Sequence, residues 1–529
     1  MKIAGSPVET SVAARVLLLA VILSILAGLK LSVLPGTGPY GADGSFYANA
    51  ARNVEEGAGL VTDVSMYHSG IRELPTPSRL IYPLWPLLAG YAARLLGLHP
   101  ALNFLPPFFY LLSLLLLYLI ASRLGARAGL PDGAWLTPAH LLVLFLGLNF
   151  QFFGPTTYPY TEGLGFCLAF ASLLLLDVAL RRNAILWSVL AAVAAGLALL
   201  TRSQLVIIGL SLLVVVAWTA ISDRKHTAAA VAYAAAFAAM GAYWYFAVYH
   251  VVENPRVELS GEFRMWVEPS TTADWWRARF EGVLVSFSPR HPNSYFQAFQ
   301  TAFLLPMAAI PIALGQWIRR RPRALRLSPH STLAAACVLV ALAGYASLNL
   351  FHQDSSFFVP WLFGYRHGLP LVFGIAVAAV YLWMRGPLAR GATIAALAFA
   401  AIIGTRAIVP YITSPPAASP TESEAQLVRW LDASPRRPVL LAVRAQHLSV
   451  YTHTGIHWTL CRTSPDLTRE MLAKLPIDYV IVYDDERPCA FVAGLGDLLY
   501  EKAVFGEGRG SIHLLARRAA PIETRLKEH

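Results

Sequence analysis

Residues 82 to 98 read YPLWPLLAGYAARLLGL, an apolar run broken by Pro83, Pro86 and Arg94. Whether this run crosses a bilayer or lies along it fixes the orientation of everything downstream. Around it are stretches of about 20 apolar residues, the length needed to span the hydrocarbon core. They fall at 12–34, 101–120, 136–153, 162–180, 184–200, 203–221, 228–251, 297–318, 331–351, 367–384 and 391–412. If 82–98 lies on the surface, these eleven spans put the N-terminus inside and the C-terminus outside. The cytoplasmic turns then hold Arg123 and Arg127, Arg181 and Arg182, Arg224 and Lys225, the run from Arg319 to Arg326, and Arg385 and Arg390. The short outer turns keep little more than Arg202 and Arg366. Counting 82–98 as a twelfth span moves nearly all of these clusters to the wrong side, so the excess of Lys and Arg inside selects the surface helix. Its arginine and prolines suit an interfacial position.

Composition agrees. The 529 residues are 56% hydrophobic and 14% charged, against roughly 25% charged in soluble proteins. Mean hydropathy is +0.52. These values exclude a cytosolic enzyme, a disordered regulator and a coiled coil. The net charge of +11 does not indicate nucleic-acid binding, because the basic residues sit in clusters between apolar runs. The first run, 12–34, is too long for a signal peptide and lacks a small-residue cleavage site, so it is read as a retained span.

Three large segments fall outside: 35–100, 253–296 and the tail from 413. The tail, 414–529, reads as a small α/β domain following a membrane module, 1–413. Its linker is SPPAASP, 414–420. Thr421 to Ala433 is helix-like, with Thr421 as N-cap and Glu424 at capping-box spacing. Pro438 to Val443 and Tyr479 to Tyr483 are apolar strands, and a helix spans Pro465 to Leu475 between them. Gly506 to Gly510 forms a turn before a last strand, Ser511 to Ala516. Cys167 and Cys337 lie within spans, as small apolar fillers. Cys461 and Cys489 both fall in the outer tail, where an oxidising compartment favours a disulfide; two buried thiols are the alternative.

Transporters gather ionisable residues in mid-span. Here polar residues collect in the outer loops and at the outer span ends, which favours chemistry at the outer membrane face. The first outer loop reads PYGADGSFYANAARNVEEGAGL from Pro39 to Leu60. Phe46, Tyr47, Ala50 and Val54 fall at helical spacing, Gly57 terminates the helix, and Asp43 stands at its start. On residue type alone Asp43 reads first as an N-cap.

An Asp just after the first span, heading a D-x-x-x-Y-x-x-x-A helix, resembles the GT-C glycosyltransferases, and most nearly the protein O-mannosyltransferases and the lipid A aminoarabinose transferases. YPLWPLL at Tyr82 to Leu88 is similar to the start of that family's second surface helix. AGLALLTRS at Ala195 to Ser203, FSPR at Phe287 to Arg290 and YRHGLP at Tyr365 to Pro370 match further family segments in order. The resemblance covers about the first 410 residues.

It implies a GT-C-type polytopic helical enzyme that moves one sugar, with inversion, from a polyprenyl-phosphate carrier to an acceptor hydroxyl on the outer face. Asp43 matches the general base, which takes the proton of a hydroxyl within about 3 Å; the helix start keeps it ionised. Arg202 and Arg366 are the candidates for the leaving phosphate, with Arg290, His291 and Arg79 behind them. Interfacial snorkelling is the alternative for Arg202 and Arg366. Glu162, in TTYPYTEGL, matches a second acidic position that orients a sugar or acceptor hydroxyl, or else is a helix-start charge. Tyr47 and Tyr82 stand among aromatics that either stack on sugar or lipid or form an interface belt.

Asp43 is followed by Gly rather than a second acid, which disfavours a protein acceptor. No D-x-D pair or clustered carboxylates appear in the outer loops, so no catalytic metal or other cofactor is expected, and a lone Asp63 does not alter that. The expected partners are a polyprenyl-phosphate-sugar, an envelope glycan or glycolipid acceptor, and membrane lipids. The expected location is the plasma (inner) membrane, with the tail extracytoplasmic. The competing class is a transporter or flippase of a lipid-linked sugar.

Overall fold

A computed structural model describes residues 7–38, 40, 42–66, 74–77, 83–130, 134–249, 294–320, 329–350, 369–413, 420–444, 447–459, 461 and 463–518. In chain order the elements are α1 (Pro7–Leu31), α2 (Ala42–Glu55), β1 (Val61–Thr62), β2 (Val64–Met66), β3 (Thr76–Pro77), α3 (Leu84–Leu96), α4 (Leu98–Ala128), α5 (Pro138–Gly147), α6 (Phe150–Phe153) and α7 (Glu162–Arg182). They continue as α8 (Ile185–Thr201), α9 (Val206–Ser222), α10 (Thr227–Tyr243), α11 (Ser294–Arg320), α12 (Pro329–Leu350), α13 (Leu371–Trp383) and α14 (Pro387–Thr413). The tail adds α15 (Glu422–Asp432), β4 (Val439–Ala442), α16 (Leu448–Tyr451), β5 (Gly455–Trp458), α17 (Pro465–Lys474), β6 (Tyr479–Tyr483), β7 (Leu499–Phe505) and β8 (Ile512–Arg517).

The described residues divide into two compact units, one drawn from 1–34, 103–250 and 266–415, the other from 35–102 and 416–529. In the first, α7 packs along α8, α8 and α9 along α10, α12 against α9 and α13, and α11 and α5 against α14. Small side chains permit this close approach. The packed side of α8 is Ala191, Ala192, Ala194, Ala195, Gly196 and Ala198, all buried. Large apolar side chains point outward instead, among them Leu17, Ile25, Leu186, Val214, Ile221 and Ile310. Lipid accommodates such a surface and water does not.

Five described helices are long and apolar enough to cross a membrane: α1 from Val12, α4, α7, the stretch Arg224–Phe246, and α14. The third apolar stretch is not one helix. It breaks between α5 and α6, where the Asn149 side chain accepts from Gln151 N–H at 3.0 Å and caps the second piece. The expected span over 228–251 is helical to Tyr243 and then runs on as a π-helical turn, Trp244–Tyr249.

The second unit joins the first outer loop to the tail. The six-stranded sheet has the order β2-β5-β4-β6-β8-β7. Its first four strands are parallel, and β8 runs antiparallel to both β6 and β7. Its edge strand β2 comes from the first loop, with Val64 opposite Ile456. The expected division, in which loop 35–100 goes with the membrane module and 414–529 stands alone, therefore differs from the observed packing.

Several tail elements follow local rules. Thr421 Oγ1 accepts from Glu424 N–H at 3.2 Å, and Glu424 Oε2 accepts from Thr421 N–H at 2.8 Å, closing a reciprocal cap on α15. Cys461 and Cys489 are joined by a disulfide, while Cys167 and Cys337 are free and buried. Helix α3 has 13 residues, about 20 Å of rise against roughly 30 Å of hydrocarbon. It lies against α2, so closely that a Cβ on Gly90 would sit 2.5 Å from Val54.

Candidate functional site

In the second unit, helix α2 begins at Ala42, which makes Asp43 its second residue, half-buried in the first turn. A carboxylate there is favoured by the partial positive charge of the helix start. The alternation of apolar and polar residues predicts one wet face on α2. Instead, every residue from Gly44 to Val54 is buried. The apolar side is covered by α3, and Arg94 Nη2 donates to the Val54 carbonyl at 2.7 Å.

The polar side is closed by Asp63. Asn49 Nδ2, Arg52 Nη2 and Asn53 Nδ2 all donate to Asp63 Oδ2, at 3.1, 3.2 and 3.1 Å. In return Asn49 Oδ1 accepts from Asp63 N–H at 2.8 Å and from the Thr62 hydroxyl at 2.9 Å. Two further bonds reach into the tail, from Asn49 Nδ2 to the Ser449 carbonyl at 2.8 Å and from Arg52 Nη1 to the Thr452 carbonyl at 2.9 Å. Buried polar groups are tolerable when paired in this way. Sequence reasoning passed over this network, although Asn49, Arg52 and Asn53 at i, i+3 and i+4 mark one helix face.

The strand of chain entering α2 is clamped from the tail as well. Tyr451 donates its hydroxyl to the Thr37 carbonyl at 2.5 Å. Its ring stacks on His99, whose other neighbour is Tyr40, with centroids 6.2 and 6.1 Å apart. The Tyr40 hydroxyl lies 2.5 Å from His99 Nδ1. Gly38, at φ +110°, leaves the room: a Cβ there would be 2.2 Å from the Tyr451 hydroxyl oxygen. Behind Tyr451, His447 Nε2 sits 2.8 Å from Glu424 Oε1, which also accepts from the Tyr483 hydroxyl at 3.0 Å. Burial pushes the Glu424 carboxyl up. The hydrogen bond and charge of His447, with the Thr421 and Tyr483 bonds, outweigh that and hold it at about 2. Tyr47 is buried, edge-on to Phe46 at 5.6 Å.

In the first unit, the structure brings two of the predicted residues together. Arg202 follows the last turn of α8, Glu162 opens α7, and Arg202 Nη1 donates to Glu162 Oε1; both side chains are buried. Arg202 Nη2 also donates to Gln204 Oε1 at 3.2 Å, a partner the sequence reading did not name. A guanidinium offers five N–H donors, and Arg202 uses them on these partners within the protein. Its charge is shared with Glu162 rather than standing alone.

Nearby is a buried basic side chain that the sequence reading did not single out. Lys30, wholly buried on the last turn of α1, donates to the Phe153 carbonyl and to the hydroxyls of Thr156 and Thr157 at 2.9 and 2.8 Å. The rings of Phe153 and Tyr110 lie 4.2 and 4.8 Å from it. Lys30 thus fixes the segment that leads from α6 to Glu162.

The other candidates, Arg79, Tyr82, Arg290, His291 and Arg366, lie outside the described residues. Among the described residues no three His, Cys, Asp or Glu side chains gather in a way that could hold a metal ion.

No protein-family profile matches the chain, and no curated protein matches it. Solved structures do. ArnT from Cupriavidus metallidurans, a structure bound to undecaprenyl phosphate, aligns over 94% of this chain and 97% of its own with a TM-score of 0.51 at 14% identity. The Archaeoglobus fulgidus oligosaccharyltransferase aligns over 87% of this chain and 67% of its own, at 0.52 and 13%. The arabinofuranosyltransferase AftD from Mycobacteria aligns over 96% of this chain at 0.52 and 14%, but this chain spans only 42% of its length. These likenesses extend across both units, and together with the long apolar helices they establish that the chain is a multi-pass membrane protein with the GT-C fold.

Proposed function

We propose that this protein is a membrane glycosyltransferase that moves a single sugar from a polyprenyl-phosphate carrier to a hydroxyl of an envelope glycan or glycolipid. The observation that carries the reading is Asp43, an acid at the first turn of a helix buried on all sides, held by the Asp63 and Tyr451 contacts, in a chain with the GT-C fold. Two of the similar structures support a lipid-phosphate donor: ArnT is bound to undecaprenyl phosphate, and the archaeal oligosaccharyltransferase AglB to an inhibitory peptide and a dolichol-phosphate.

In the step we assign, the Asp43 carboxylate takes the acceptor hydroxyl's proton as that oxygen bonds to the anomeric carbon. The bond from the anomeric carbon to phosphate oxygen breaks on the opposite face, so the sugar inverts. The carrier leaves as a phosphate monoester carrying one more negative charge, and the proton rests on Asp43. Guanidinium groups stabilise that developing charge. Arg202 and Arg366 are assigned this role, with Arg290, His291 and Arg79 in support; Glu162 orients Arg202. Tyr47 acts through packing, and Tyr82 is assigned to sugar or lipid. No metal enters the step.

The topology that goes with this reading is eleven spans in the plasma membrane, the N-terminus cytoplasmic, α3 on the outer surface and the tail outside. The test compares cells making the wild-type chain with cells making Asp43→Asn, by mass spectrometry of envelope glycans and of the polyprenyl-phosphate-sugar pool. The reading requires one envelope species to lose a single sugar in the variant while one lipid-linked donor accumulates. Identical profiles at equal protein level overturn it.

A further inference from the structure

The end of α7 opposite Glu162 carries a second polar cluster that sugar transfer leaves unused. Asp177 lies 15 residues along the helix from Glu162, about 22 Å of rise. Its side chain is 1% exposed and meets three guanidinium groups. Arg127 Nη2 is on Oδ1, Arg123 Nη1 is 3.2 Å from Oδ2, and Arg181 Nε is 3.4 Å from Oδ2. Arg123 and Arg127 stand four residues apart on the last turns of α4, and Arg181 is one turn on from Asp177.

One carboxylate cannot satisfy three arginines. The cluster keeps two uncompensated positive charges among the described residues, and its inner wall is incomplete. The Arg127 side chain is only 7% exposed, yet its Nε and Nη1 are buried without a hydrogen-bond partner. Leaving guanidinium donors desolvated and unpaired is costly. The front of the cluster is open, with Arg123 and Arg181 at 36% and 48% exposure. A cluster with an unsatisfied, buried Arg127 and two accessible arginines matches an anion with several acceptor oxygens, and guanidinium forks match phosphate geometry. Both helices end within two turns of the cluster, at Ala128 and Arg182. Lipid headgroups lie at the ends of spanning helices, where basic clusters between helices capture them.

We infer that Arg123, Arg127 and Arg181, set around Asp177, form a binding site for a phosphate group, supplied by the headgroup of an anionic membrane lipid. The site does not depend on the transfer reaction. Asp177 holds the three arginines together, and the incoming phosphate completes the charge balance that Asp177 alone leaves unfinished.

The test uses the full chain in nanodiscs of phosphatidylcholine, with or without phosphatidylglycerol, and in detergent with or without inorganic phosphate. Thermal unfolding and native mass spectrometry of retained lipid are read for wild type, Arg123→Gln/Arg181→Gln, and Arg182→Gln as a neighbour outside the cluster. Wild type and the Arg182 variant are expected to gain stability from phosphatidylglycerol and to retain it. The double variant should bind it roughly tenfold or more weakly, the loss of two charged hydrogen bonds. A purely structural cluster would lower stability equally in both lipids. Stabilisation of wild type by inorganic phosphate, lost in the double variant, would support the site and identify a soluble source. If neither anion shifts wild type, or the double variant responds like Arg182→Gln, the inference is overturned.

Discussion

Asp63→Ala removes the acceptor at the centre of the α2 network. Three side chains lose their shared oxygen at once, and Arg52, whose side chain is 7% exposed, loses its 3.2 Å carboxylate partner. Breaking a buried ion pair from one side costs about 3–5 kcal/mol. The carbonyls of Ser449 and Thr452 still receive Asn49 and Arg52, so the lower end of that range is expected. The loss is local, because the network ties α2 to its neighbours rather than to the sheet core. Hydrogen exchange across residues 42–55 in the full chain should therefore speed up by roughly a hundredfold or more, the equivalent of about 3 kcal/mol in local opening. Exchange in β4 and β6 should change far less. If α2 exchanges at the wild-type rate in Asp63→Ala, the network does not hold the helix, and the positional argument for Asp43 fails with it.

Glu162→Gln takes a buried carboxylate from Arg202 and should destabilise the first unit by about 3 kcal/mol, while Glu162→Leu with Arg202→Met recovers most of it; a thermal double-mutant cycle reads the difference. Stability of the second unit should fall in two pH windows. Burial draws His457 down to about 4, so the unfolded chain binds more protons than the folded one between pH 6.5 and 4. About 3 kcal/mol is then lost as pH drops through that range. Glu424, held at about 2, adds a second loss as pH falls from the ordinary carboxylate range toward 2. Thermal unfolding against pH checks both, and His457→Gln should remove only the upper limb. Replacing Cys461 and Cys489 by Ser opens a loop with a sequence separation of 28 and should cost about 3–4 kcal/mol by chain entropy, read by calorimetry of the full chain.

Rules that act over one or two turns were legible in the sequence. The Thr421 and Glu424 cap, the turn at Gly506, the long apolar helices and the even cysteine pair in the tail all depend on neighbours or on parity. What escaped is long-range. β2 is three residues from the first loop, and nothing in V-S-M marks it as a sheet edge; it is defined by β5, almost 400 positions later. Asp63 looked solitary because its partners are arranged by the helix, not by the chain. Glu162 and Arg202 were each singled out, but only the packing of α7 on α8 reveals that they pair. Lys30 was hidden inside an apolar run whose hydropathy it barely changes. The break at Asn149 was hidden in the same way, since the residues on both sides are apolar.

The most direct test of the central claim is release of free polyprenyl phosphate by the purified full chain. The protein is placed in nanodiscs and supplied with the lipid-linked sugar pool and envelope glycolipids extracted from its host. The account predicts steady release by wild type and a loss of roughly a hundredfold or more in Asp43→Asn, the contribution of a general base, with the donor still bound. Equal release by the two proteins would contradict it, and Asp43 would then be no more than the acid at the start of α2.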